Sequence, residues 1–190
     1  MLSNPVHWQK VLGSRSNKYK TLRLCYGHAG GIGKNREYPG WGATGELWKS
    51  PNNFARMVVE HCRTYPNVYC DMSHYEAILK DDVIKKAFVI NLVRELRDKS
   101  GNYLFRKKVM YGSDWHMPEM AQRTRQYLDF FRELFSKAAI KDYAEDFFHE
   151  NAVRFLNLKK QTPLQQLLRT GTFSLSSKVA RELQLFEIGK

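Results

Sequence analysis

Side chains able to carry protons or hold a cation recur at three places where an apolar run of this 190-residue chain gives way to a turn. His28 follows LRLCYG and is followed at once by Ala29-Gly30-Gly31. Asp71, Ser73 and His74 follow NVYC, and Asp114 follows VMYGS and is flanked by Trp115 and His116. An imidazole can exchange a proton near neutral pH, and a carboxylate offers oxygens to a cation or to hydrogen-bond donors. A strand that ends in Gly112-Ser113 and then an acid can aim that charge from a rigid element into a cleft. The same residues have plainer uses. Asp114 could cap the next helix, Asp71 could hold backbone amides at its strand end, and Ser73 and His74 could serve only their own loop. A Ser-His-Asp nucleophile using His74 lacks the GxSxG elbow. The remaining histidines that sit inside helices, His61 and His149, read as structural or exposed.

The elements that must position these groups follow from periodicity. Residues 4–12 read as a short helix with Asn4 as cap and Pro5 in its first turn. TLRLCYG (21–27) reads as a strand, followed by a Gly-rich loop over 32–50 that holds Lys34, Arg36, Tyr38, Trp41 and Trp48. A loop of that length is commonly functional or disordered. Arg36 and Trp41 are candidates to cover an acidic, aromatic substrate, and His116 to line the same cleft. Ser50-Pro51 predicts a helix start, with Phe54, Met57, Val58 and Cys62 on one face. Val68-Tyr69-Cys70 predicts a second strand, and 81–98 a well-buried helix begun by two aspartates. Residues 107–111 predict a third strand, and 119–137 and 140–156 two further helices, with Asn151 hydrogen-bonding backbone inside the fold. Alternation of strands and helices predicts an α/β fold with parallel strands, whose active site gathers at the strands' C-terminal ends. Those ends are the three places where the reactive residues lie.

The totals narrow the possibilities. With 43% apolar residues and 11 Phe, 10 Tyr and 4 Trp, the chain can build a core. No apolar run approaches the ~18 residues of a membrane span, and no secretory h-region follows Met1. Cys25, Cys62 and Cys70 form no CxxC pair and read as reduced thiols of a cytoplasmic protein. A net charge of +12, from 31 basic and 19 acidic residues, invites a nucleic-acid or acidic partner. The basic residues are scattered and carry no recognisable nucleic-acid motif, so specific nucleic-acid binding is not expected.

Four pieces in order, LRLCYGHAGG, YPNVYCDMS, VMYGSDWHMP and ENAVRFLNL, resemble the amidohydrolase-related family of metal-dependent hydrolases and decarboxylases. That group includes aminocarboxymuconate semialdehyde decarboxylase. The resemblance covers residues 4–158 and implies a TIM-type (β/α)8 barrel, with the match falling on about strands 6 to 8. It makes Asp114 the metal-binding aspartate of the eighth strand. It makes His28 the sixth-strand histidine beside a metal-bound water, where it carries a proton or stabilises a transition state. The cofactor implied is a divalent metal such as zinc, which lowers the pKa of its water and polarises a carbonyl or carboxylate. The substrate implied is a small molecule bearing such a group. The family's metal site also needs a His-x-His pair and a fifth-strand histidine; no His-x-His occurs here, and His7 has no strand before it. A full barrel takes roughly 250 residues. The chain therefore reads as the C-terminal part of an incomplete barrel (1–158) followed by a helical extension (159–190). A missing barrel half or a second copy is the expected partner, because an incomplete sheet exposes its edges. A decarboxylase, a non-catalytic barrel remnant and a basic scaffold remain the competing functions.

Overall fold

A computed structural model of the chain describes residues 4–14, 19, 21–114 and 123–158. His116, the start of the helix expected over 119–137 and the extension 159–190 lie outside the described residues. The chain divides into two units, Met1–Phe155 and Leu156–Lys190, and the sheet and candidate site belong to the first. After helix α1 (Val6–Leu12) come strand β1 (Leu24–Tyr26), helices α2 (Gly45–Lys49) and α3 (Phe54–Thr64), and strand β2 (Val68–Met72). Helix α4 (Asp82–Arg97), strand β3 (Val109–Tyr111) and helices α5 (Thr124–Ser136) and α6 (Asn151–Leu156) complete it. A single wide turn of π-helix, Asp146–Glu150, leads into α6.

The three strands form one parallel sheet in the order β1-β2-β3. Tyr26 stands opposite Cys70, and Met72 opposite Tyr111, so β2 and β3 end at the same level and β1 ends short of them, opposite Cys70. Parallel neighbours need long crossovers, and α2, α3 and α4 lie in them. Val68, Cys70, Met72 and Val109 are fully buried in one apolar cluster with Val58, Val59 and Cys62 of α3 and Phe88, Leu92 and Leu96 of α4. On the alternate face Cys25 and Asp71 are half-buried, while Tyr69 and Met110 are buried, Tyr69 against Phe155. The mixed α/β class and parallel strands are those the alternation predicts.

Local capping explains two shifted boundaries. Helix α3 begins at Phe54, not at Ser50-Pro51, because the Asn53 side chain accepts from the Arg56 amide at 3.1 Å. Ser50 instead accepts from the Asn52 amide at 3.2 Å, turning the chain ahead of the helix. Helix α4 starts as the aspartate pair predicts: Asp81 accepts from the amides of Val83 and Ile84 at 2.9 and 3.0 Å. Asn151 does what its burial requires, donating to the carbonyls of Arg106 at 2.8 Å and Val109 at 2.7 Å. It thereby ties α6 to the start of β3.

The long loop after β1 is built rather than slack. Gly40, Trp41 and Gly42 donate to the carbonyls of Gly33, Gly31 and Ile32 at 2.8, 2.9 and 3.1 Å, folding the loop back on itself. Trp41 is fully buried against Trp48 and Phe105, with ring centroids 5.2 and 6.0 Å away. The tryptophan expected to cover substrate gives its ring to the core instead. Its indole N–H donates to the Ala29 carbonyl at 2.8 Å.

Candidate functional site

Each strand leaves the sheet through backbone that L-residues seldom adopt. His28 and Ala29 after β1, His74 after β2 and Asp114 after β3 have φ of 57°, 35°, 59° and 49°. Such left-handed positions at non-glycine residues cost energy, about 1–3 kcal/mol each, and cluster where a site needs side chains aimed in a particular direction. The turn after β1 also needs its glycine. Gly30 has φ +85°, and a Cβ there would lie 2.5 Å from the Ala55 backbone nitrogen of α3. The close approach of this turn to the helix start fixes where His28 leaves the strand.

His28 is held from β2. Its backbone N–H donates to Asp71 Oδ1 at 3.1 Å, and its carbonyl accepts from the buried Tyr75 hydroxyl. Its ring Nδ1 lies 3.0 Å from Ser73 Oγ and 3.3 Å from the Ser73 carbonyl. The Ser73 hydroxyl is itself in short contact with Asp71 Oδ1. Tyr127 of α5 braces the same segment, donating to the Met72 carbonyl at 2.6 Å. On the other side His74 stands between its neighbours: its ring centroid is 5.4 Å from that of His28, and its Nδ1 is 3.9 Å from Asp114 Oδ2. His28, Asp71, Ser73, His74 and Asp114 thus form one continuous polar edge across the three strand ends. Burial and the adjacent Asp71 carboxylate push the Cys25 thiol up to about 12. The thiol 3.8 Å from Asp71 Oδ2 is therefore a protonated donor, not a thiolate ligand or nucleophile.

The structure brings His28 and Asp114 to one edge, as the strand-end argument predicts. Arg36 lies exposed in the folded loop, while its neighbour Lys34 pairs with Asp81 at 2.6 Å. Asp71 holds a backbone amide at its strand end, as its position predicts, and Ser73 and His74 join it on the same edge. The signal for pairing Asp71 with Ser73 was available: residues two apart on a strand face the same side, so an Asp-x-Ser at a strand end presents a carboxylate and a hydroxyl together. His61 is a structural histidine, 7% exposed, with Nδ1 2.8 Å from the Tyr26 hydroxyl, and burial lowers its pKa.

Comparison with known proteins supplies the family. A family model described as amidohydrolase matches residues 11–158. The chain belongs to the amidohydrolase family. No curated protein and no solved structure matches it. Among the described residues no helix is long and apolar enough to cross a membrane.

Amidohydrolases are typically metal-dependent, so the donor set matters. Imidazoles and a carboxylate are the right types for zinc. Their number and convergence at the strand ends fall short. Among the described residues, the His/Cys/Asp/Glu group whose donor atoms all lie within 4.8 Å of one another is Glu145, His149 and Glu150, which come from one stretch of helix and not from the turns after the strands. The described strand-end residues do not by themselves complete a metal centre.

Proposed function

We propose that the strand-end edge is part of the active site of an amidohydrolase-type, metal-dependent hydrolase acting on a small carbonyl- or carboxylate-bearing molecule. The observation that carries this reading is the run of His28, His74 and Asp114 across three adjacent parallel strand ends, at 5.4 and 3.9 Å spacings. Asp114 is the residue that would hold the metal, and a bound divalent ion would supply charge to polarise the substrate. His28 would hold or release a proton at its ring, on the same edge. The donor shortfall means that the other ligands come from outside this chain's described residues, as they would if strands β1 to β3 were the last three of a (β/α)8 barrel. Arg36 and His116 remain proposed substrate contacts. Carbon–carbon cleavage, as in a decarboxylase of the same family, would use the same edge.

The incomplete donor set favours one second reading, a barrel remnant that keeps the packing and has lost the metal. Equilibrium dialysis of the full chain against zinc separates the two. If the site is active, zinc binds measurably and Asp114→Ala weakens it at least tenfold; zinc binding that ignores Asp114→Ala removes the first reading. Among the described residues β1 and β3 each pair only with β2, and exposed sheet edges invite pairing. We therefore propose self-association, or docking of a complementary barrel half, along these edges. A monomer by light scattering with a single cooperative melt would count against it.

A further inference from the structure

We propose that Asp71 and Ser73 are positioning residues that lock the neutral His28 imidazole as its Nδ1–H tautomer, leaving the Nε2 lone pair as the ring's basic site. The assignment follows from counting protons. Asp71, as a carboxylate, can only accept, and its Oδ1 receives the His28 backbone N–H at 3.1 Å and the Ser73 hydroxyl in a short contact. The single proton of the Ser73 hydroxyl is therefore spent on Asp71. What Ser73 Oγ turns toward His28 Nδ1, 3.0 Å away, is a lone pair. The second group near Nδ1, the Ser73 carbonyl at 3.3 Å, is also an acceptor. An Nδ1 lone pair would face two acceptors, whereas an Nδ1 proton meets both. Nδ1–H is the form that satisfies the network.

The network is built to hold this arrangement. The His28 backbone is pinned by Asp71 of β2 on its N–H and by the hydroxyl of Tyr75, just after β2, on its carbonyl. Gly112, at the end of β3, closes the other side: a Cβ there would lie 3.1 Å from Asp71 Oδ1 and from the Cβ atoms of Asp71 and Ser73. Ser73 is itself buried, 6% exposed, so water does not compete freely for its hydroxyl. The tautomer matters for the proposed chemistry, because a base must present its lone pair to the reacting group. That consequence rests on the proposed function; the tautomer itself does not.

The test uses the full chain labelled with 15N in its histidines, at a pH where His28 is neutral, with long-range 1H–15N correlations to report which ring nitrogen carries the proton. The wild type is expected to show His28 as Nδ1–H. Asp71→Ala frees the Ser73 hydroxyl to donate to Nδ1, and the ring should switch to Nε2–H. Asp71→Asn keeps an acceptor oxygen in place and should retain Nδ1–H. Ser73→Ala should raise the Nε2–H fraction, and Ser73→Thr should restore the wild-type pattern. That second pair decides the matter if Asp71→Ala does not fold. A wild-type His28 in the Nε2–H form, or a tautomer indifferent to both alanine variants, overturns the proposal. Failure to detect hydrolysis in any of these proteins bears on the proposed function alone.

Discussion

Two clusters in this molecule hold histidine beside carboxylate, and they are made in opposite ways. Glu145, His149 and Glu150 come from one stretch of helix, where a widened turn brings donors close: His149 Nδ1 lies 3.3 and 3.4 Å from the two glutamates. Arg154 already neutralises part of it, 3.7 Å from Glu150 and 2.9 Å from Asp146. The strand-end edge gathers His28, Asp71, Ser73, His74 and Asp114 from three strands, through backbone held in left-handed conformations. Its donors are farther apart, yet the fold invests far more in placing them. Helical neighbours meet as a matter of course. Groups brought together over long loops meet only because the whole sheet puts them there, and that is the stronger sign of a site.

That contrast can be broken by mutation. The largest effect is expected from Gly30→Ala, where a Cβ meets the start of α3 and a positive φ is forced on alanine. A loss of about 3 kcal/mol in chemical denaturation is expected; a change below ~1 kcal/mol would mean the turn after β1 is not tightly built. Asn151→Ala comes next. It leaves the Arg106 and Val109 carbonyls without their donor inside the fold, and about 2 kcal/mol should be lost by the same measurement.

Acid should act on the two regions in different windows. Burial depresses the pKa of His61, which supports Tyr26 at the end of β1, so the unfolded chain binds the proton more readily than the folded one. Stability is then full above the ordinary imidazole value of ~6.5 and declines as pH falls through it. Near the helical cluster the balance lies with Asp146. Burial alone would raise its pKa, but hydrogen bonds from Lys107 and Arg154 bring the net shift below the ordinary value. Its contribution is present above ~3.9 and fades as pH drops below that. Denaturant midpoints followed from pH 8 to 3 should show two steps, and His61→Phe should remove only the upper one. The smallest effect is expected from Glu145→Gln, whose side chain is 77% exposed: within ~0.5 kcal/mol of wild type.

The parallel sheet and the reactive strand ends were legible because both depend on local pattern. An apolar run that stops at glycine and an acid or imidazole marks a strand end wherever it occurs. The role of Trp41 was not legible, because a Gly-rich loop gives no hint that it will fold back on its own carbonyls and drive an indole into the core. The start of α3 was misplaced for a similar reason: Ser50-Pro51 carries a good cap signal, and only the reach of Asn53 to the Arg56 amide overrides it. The link from Asp71 through Ser73 to His28 spans 45 residues between histidine and serine. It depends on β1 and β2 being neighbours in register, which composition and periodicity do not specify.

The central claim is that the strand ends, not the helical cluster, are where this protein engages a metal and its substrate. Anomalous diffraction from crystals soaked in zinc tests it most directly. The account predicts a zinc peak within bonding distance of an Asp114 carboxylate oxygen; zinc found only between Glu145, His149 and Glu150 would contradict it.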